Sequence, residues 1–130
     1  MNATEHPDPA GVYKRFPAAM EARDVDGAVA LFTENALFVS PVVHRPYTGR
    51  EPLRAIIAAV GTVFEDSRYI GSYSADDGHV LSFEARIGDR AVQGVDMLRD
   101  VDGVLTKLSV MVRPYSAATA LRERMAALLT

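Results

Sequence analysis

Among the side chains able to move a proton, Asp96 has the most unusual surroundings in the sequence. Side chains alternate in direction along a strand, and in the strand expected over Arg90 to Asp100 that period puts Val92, Gly94, Asp96 and Leu98 on one face. Leu108, Val110 and Val112 give the next strand a wholly apolar face. Where the two faces coincide, a carboxylate points into a hydrophobic interior, and burial raises its pKa by disfavouring the charge. Such an acid exchanges protons near neutral pH or donates a hydrogen bond to a ligand oxygen. Alternation alone equally allows an outward Asp96 beside Arg90 and Arg99, or a buried acid satisfied by a backbone N–H.

The other candidates are few. His79 follows Asp77-Gly78 and shares a face with Leu81, Phe83 and Ala85, so it belongs at the end of the same interior, as a catalytic partner for Asp96 or as a plain turn residue. His44 lies beside Arg45 in a loop, where solvent or a ligand can claim it. Ser40 has no Gly-x-Ser-x-Gly elbow around it and reads as a hydrogen-bonding group, not a nucleophile. The three histidines are scattered, with no His-x-x-x-His spacing, so neither a metal site nor a cofactor is expected. With no cysteine, thiol nucleophiles, Cys-based zinc sites and disulfides are excluded together.

Composition narrows the partners. A net charge of −3 argues against a nucleic-acid backbone, which needs a clustered positive surface. No apolar run approaches the roughly 20 residues that span a bilayer, and Met1 to Pro9 lacks a basic then apolar leader, so a cytoplasmic location is expected. At 130 residues, with 48% hydrophobic content, one domain covering 1–130 is expected.

The elements that must position these groups are readable from periodicity. Asp8-Pro9 caps a helix expected from about Pro9 to Arg23, with Val12, Phe16 and Met20 as its apolar stripe and Pro17 bending it. Asp24 or Asp26 caps a short helix over Gly27 to Phe32, ending near Asn35. A strand at Ala36 to Ser40 leads through a loop, Val42 to Gly49, into a helix from Glu51 to Glu65 that carries Leu53, Ile56, Ile57, Val60 and Phe64. Strands follow at Arg68 to Tyr73, His79 to Ile87, Arg90 to Asp100 and Val104 to Val112, and a last helix runs from Ala117 to Leu129. Their turns, Asp76-Asp77-Gly78, Gly88-Asp89 and Asp102-Gly103, are short enough to make consecutive strands antiparallel neighbours. Helices ahead of such a meander predict an α+β fold: a cone-shaped barrel in which a curved antiparallel sheet wraps the N-terminal helices.

Several segments in this order carry a resemblance: Asp24-Val-Asp-Gly-Ala-Val-Ala-Leu-Phe, Phe38-Val-Ser-Pro, Tyr47-Thr-Gly-Arg and Gly94-Val-Asp-Met-Leu-Arg. The chain resembles the nuclear transport factor 2-like superfamily, in its SnoaL-like and ketosteroid isomerase-like branch, from about Pro9 to Arg113. The resemblance implies a cone whose interior is a pocket for isomerisation, cyclisation, epoxide hydrolysis or ligand binding. Ketosteroid isomerases pair a carboxylate base with a tyrosine and a protonated aspartic acid, a carboxylic acid kept neutral by its apolar site. Carried over, the tyrosine falls on Phe16, the base on Ser40 and the acid on Asp96. Steroid isomerase activity is therefore not expected. Limonene epoxide hydrolases use an Arg-x-Asp strand and a second aspartate, which fall on Gly94 and Val110. SnoaL-like cyclases use an aspartate here with a neighbouring histidine, matched by Asp96 and His79.

Two functions follow as expectations: a cofactor-free enzyme acting on a small apolar molecule, or a non-catalytic ligand-binding or interaction protein. In either case Phe16, Met20, Phe38, Ser40, His44 and Phe64 are expected around the ligand, with Phe83, Leu98, Leu108 and Val110 from the later strands. A homodimer is expected through the outer sheet face, where Val80, Val95, Met97 and Met111 form an apolar strip.

Overall fold

The computed structural model describes residues 11–129. Its elements follow as α1 (Val12–Glu21), α2 (Val25–Val29), β1 (Phe32–Val39), β2 (Tyr47–Thr48), α3 (Arg50–Val63), β3 (Glu65–Ala75), β4 (Gly78–Ile87), β5 (Arg90–Val101), β6 (Val104–Arg113) and α4 (Tyr115–Leu129). The β5–β6 hairpin turns at Asp102 and Gly103, both left-handed with φ of 52° and 85°, as a tight turn between twisted strands requires. Its register sets Asp96 opposite Val110 and Leu98 opposite Leu108, so the two faces read from the sequence do coincide.

One sheet holds all six strands in the order β2-β1-β6-β5-β4-β3. The α+β cone expected from the sequence is the fold observed, with β3 to β6 antiparallel in turn, but the sheet is mixed, because β1 runs parallel to β6, with Phe38 beside Leu108. Short turns fix β3 to β6 as neighbours, but they do not say which end of the meander meets β1. Two boundaries also move. The short second helix stops at Val29, and the chain is extended from Phe32 on, so Asn35 lies within β1 and does not end a helix. The extension is held by Leu105, whose N–H donates to the Leu31 carbonyl at 2.8 Å. Tyr47–Thr48, expected in a loop, pairs with Leu37 and Phe38 as β2.

The helices start and stop for local reasons. At α2 the Asp24 carboxylate accepts from the Gly27 N–H at 2.9 Å, the capping read from the sequence. Helix α1 keeps Pro17 within it, while the Asp8-Pro9 cap lies outside the described residues. Helix α3 turns Leu53, Ile56, Ile57, Ala59 and Val63 onto the sheet.

Two apolar clusters result. One gathers α1, α2, the first half of α3 and β1 around Phe16 and Phe32. The other gathers Phe64, Phe83, Ile87 and Val92 under Ala117 and Leu121 of α4. Val60, Tyr69, Val110 and Met125 are packed against both, which makes them the seam of the interior.

Candidate active site

That seam is hollow. A cavity of about 530 Å³ opens along it, and Val60, Tyr69, Val110 and Met125 all line it. A volume in this range suits a small organic ligand. Asp96 is the carboxylate at its buried end, with 6% of its surface exposed.

Among the described residues Asp96 has one polar partner, and it comes from two strands away. The Tyr69 hydroxyl donates to Asp96 Oδ2 at 2.7 Å. The register explains the reach: Tyr69 pairs with Phe83 across β3 and β4, and Phe83 pairs with Gly94 across β4 and β5. A Cβ at position 94 would stand 2.4 Å from Phe83 Cζ, so the missing side chain is what lets the Phe83 ring lie flat there. Tyr69 then meets that ring edge-on, centroids 6.4 Å apart, and its hydroxyl passes over to Asp96 two residues along. Among the described residues Asp96 Oδ1 takes part in no hydrogen bond.

Burial pushes the Asp96 carboxyl up from 3.8 to about 6, and the Tyr69 hydrogen bond moderates the rise. The Tyr69 hydroxyl is itself pushed far above the usual phenol range, first by burial and then by the Asp96 charge. It stays a neutral donor throughout. At pH 7 Asp96 is mostly a carboxylate that accepts from Tyr69, while below pH 6 the acid form predominates. A group balanced there can take a proton from a ligand and hand it back.

The remaining candidates divide. Met20, Phe38, Ser40 and Phe64 line the cavity from one side, and Phe83, Leu108 and Val110 from the strands. Ser40 Oγ accepts from the Val42 and Val43 N–H groups at 3.0 and 3.1 Å, so this hydroxyl closes a turn at the rim. Phe16 and Leu98 are corrections: they are sealed in the first cluster, Phe16 edge-on to Phe32 at 5.9 Å, and neither borders the cavity. His44 is exposed in its loop and is not part of the lining either.

His79 is buried, as alternation implied, but in a polar cluster of its own outside the cavity lining. Its Nε2 lies 2.6 Å from Ser72 Oγ and its Nδ1 2.7 Å from Ser74 Oγ, and the Tyr13 ring stacks on it at 4.7 Å. Tyr13 in turn donates its hydroxyl to Asp100. With both ring nitrogens engaged, His79 anchors β3 to β4 near the turn. The group that accompanies Asp96 is Tyr69, which sequence reading passed over. Its one signal was an aromatic residue with a polar tip in a strand otherwise mostly polar. The register irregularity between Tyr69 and Gly71 hid which face it takes.

Among the described residues no group of three His, Asp or Glu side chains gathers where a metal could sit, and no helix is long and apolar enough to cross a membrane.

The curved sheet, the helices over it and the cavity between them define the nuclear transport factor 2-like fold. The SnoaL-like domain family matches residues 13–117, and the chain belongs to that family. It is similar to a steroid delta-isomerase from Pseudomonas aeruginosa, with 38% identity over 95% of this chain and 93% of that one, and a TM-score of 0.88. A cystatin-like-fold protein from Silicibacter pomeroyi is 28% identical over 96% of this chain and 86% of its own, with a TM-score of 0.85. A nuclear transport factor 2-like protein from Cytophaga hutchinsonii shares the fold at 14% identity, 89% and 97% coverage and a TM-score of 0.66.

Proposed function

We propose that this protein is a cofactor-free acid–base enzyme of the isomerase or cyclase type, acting on a small, largely apolar molecule held in the cavity. One observation carries the reading: a buried carboxylate, raised to about 6 by burial, faces the cavity with one oxygen fixed by Tyr69 and the other open. Asp96 Oδ1 takes a proton from a carbon of the bound molecule, the electron pair passes into the adjoining carbonyl system, and the carboxylic acid returns the proton at a second atom. Nothing is oxidised or reduced. Because Tyr69 already donates to Asp96, it is not free to serve a developing enolate oxygen beside that carboxylate, so the expected substrate carries an acidified C–H, such as one between two carbonyls. The similarity to a steroid delta-isomerase supports proton transfer as the kind of chemistry. It does not extend to steroids in this reading, since Ser40 stands where the resemblance places the base.

A second reading, a non-catalytic ligand-binding protein, is favoured by one specific observation. Ser40 is tied to the backbone, and no titratable group besides Tyr69 lies within hydrogen-bond distance of Asp96 among the described residues. The base-promoted ring opening of nitrobenzisoxazole separates the two, since it needs only a desolvated carboxylate and no oxyanion donor. A rate above that of free acetate, lost in Asp96→Asn, is expected. A wild-type rate no greater than acetate gives the case to ligand binding. A cytoplasmic location and a homodimer through the outer sheet face complete the proposal. Val80, Val95 and Met97 are partly buried there, while Met111 is 58% exposed.

A further inference from the structure

Helix α4 gives the cavity one wall, with Leu121, Met125 and Leu129 spaced four apart along it. Arg122 and Ala126 border the cavity beside them, so Arg122 belongs to the stripe that faces the cavity. Among the described residues the Arg122 guanidinium has no hydrogen-bond or ion-pair partner.

The other charges on the rim are largely committed. Arg68 pairs with Glu84 at 3.2 Å, and Asp66 accepts two bonds from Arg86, at 3.0 and 2.6 Å. Arg23 donates to the Gly61 carbonyl at 2.9 Å, which satisfies a donor without neutralising the charge. Among the described residues Glu21 enters no ion pair. What remains at the mouth is two guanidiniums against one carboxylate, while the buried end holds Asp96.

We infer that Arg122 selects ligands with an anionic end, so that the substrate class is an amphipathic organic acid: an apolar ring body with a carboxylate or similar group. The Asp96 carboxylate repels such a charge at the buried end, and Arg122 attracts it at the mouth. The two together fix which end of the molecule meets Asp96. A planar guanidinium beside apolar walls binds an oxyanion bidentately and more strongly than the same group does in open water. The inference rests on the cavity being the ligand site, as proposed above.

The test uses two fluorescent probes with one skeleton, the anionic anilinonaphthalene sulfonate and the neutral N-phenylnaphthylamine. The full chain is expected to bind both, the anion more tightly. Arg122→Ala should weaken the anion roughly five- to tenfold, as for one partly solvated charge-assisted contact, and leave the neutral probe unchanged. Retained binding of the neutral probe also shows that the variant is folded. Equal loss of both probes, or no loss of either, overturns the role of Arg122 and leaves the cavity as the ligand site. If neither probe binds the wild type, or if Val110→Trp, which fills the cavity, leaves both bound, the ligand site itself is wrong and the inference falls with it.

Discussion

Asp96→Asn keeps the shape of the side chain and removes its titration, so it isolates the cost of burying this charge. The carboxyl moves from 3.8 in the unfolded chain to about 6 in the folded one. Between those values the native state binds more protons than the unfolded state, and stability therefore falls as pH rises through that window. The difference of about two pH units corresponds to about 3 kcal/mol above pH 6, with roughly 2 kcal/mol of it lost between pH 4 and pH 7. Asparagine escapes this loss while its carbonyl still accepts from Tyr69. The Asn variant should thus gain on the wild type by roughly 2 kcal/mol between pH 4 and pH 7, read as the change in stability difference from urea unfolding at fixed protein concentration. For a small domain that moves the relative midpoint by about 1 M or more. A difference that stays flat with pH, or an Asn variant that loses ground as pH rises, refutes the desolvation argument. The second result would mean that an unrecognised cation holds Asp96 ionised.

Tyr69→Phe removes the hydrogen bond from Tyr69 to the Asp96 carboxylate, and the Asp96 midpoint should climb by roughly one to two pH units; carbon NMR of the carboxyl reads it, and a fall contradicts the pairing. Wild-type protein should leave a steroid enone unisomerised, because Tyr69 is committed to Asp96 and the neutral Ser40 hydroxyl takes up no proton as a base at neutral pH; absorbance growth above a buffer control counts against this. Sedimentation should give a dimer at micromolar concentration, dissociated by Met111→Glu, whereas a wild-type monomer removes the outer face as an interface. His79→Gln should cost stability through its two serine contacts and leave nitrobenzisoxazole turnover unchanged, and a selective loss of turnover would bring His79 into the site.

What the sequence made legible follows from local rules. The Asp102-Gly103 turn and the period of two around Asp96 both act over a few residues, and both hold in the structure. The family resemblance extended this to the cone and its cavity. The parallel pairing of β1 with β6 is a long-range fact that no turn encodes. Phe16 and Leu98 have the same apolar character as Phe38 and Leu108, and only the depth of each in the seam separates core from cavity wall. Tyr69 was missed because its contact crosses β4 diagonally and depends on the absent side chain of Gly94.

The central claim is that Asp96 is a desolvated carboxylate open to the cavity, and titration of its carboxyl carbon in the wild-type protein tests it most directly. A midpoint near 6 is expected, displaced when anilinonaphthalene sulfonate fills the cavity. A midpoint below about 4, or one that the probe leaves untouched, contradicts the account.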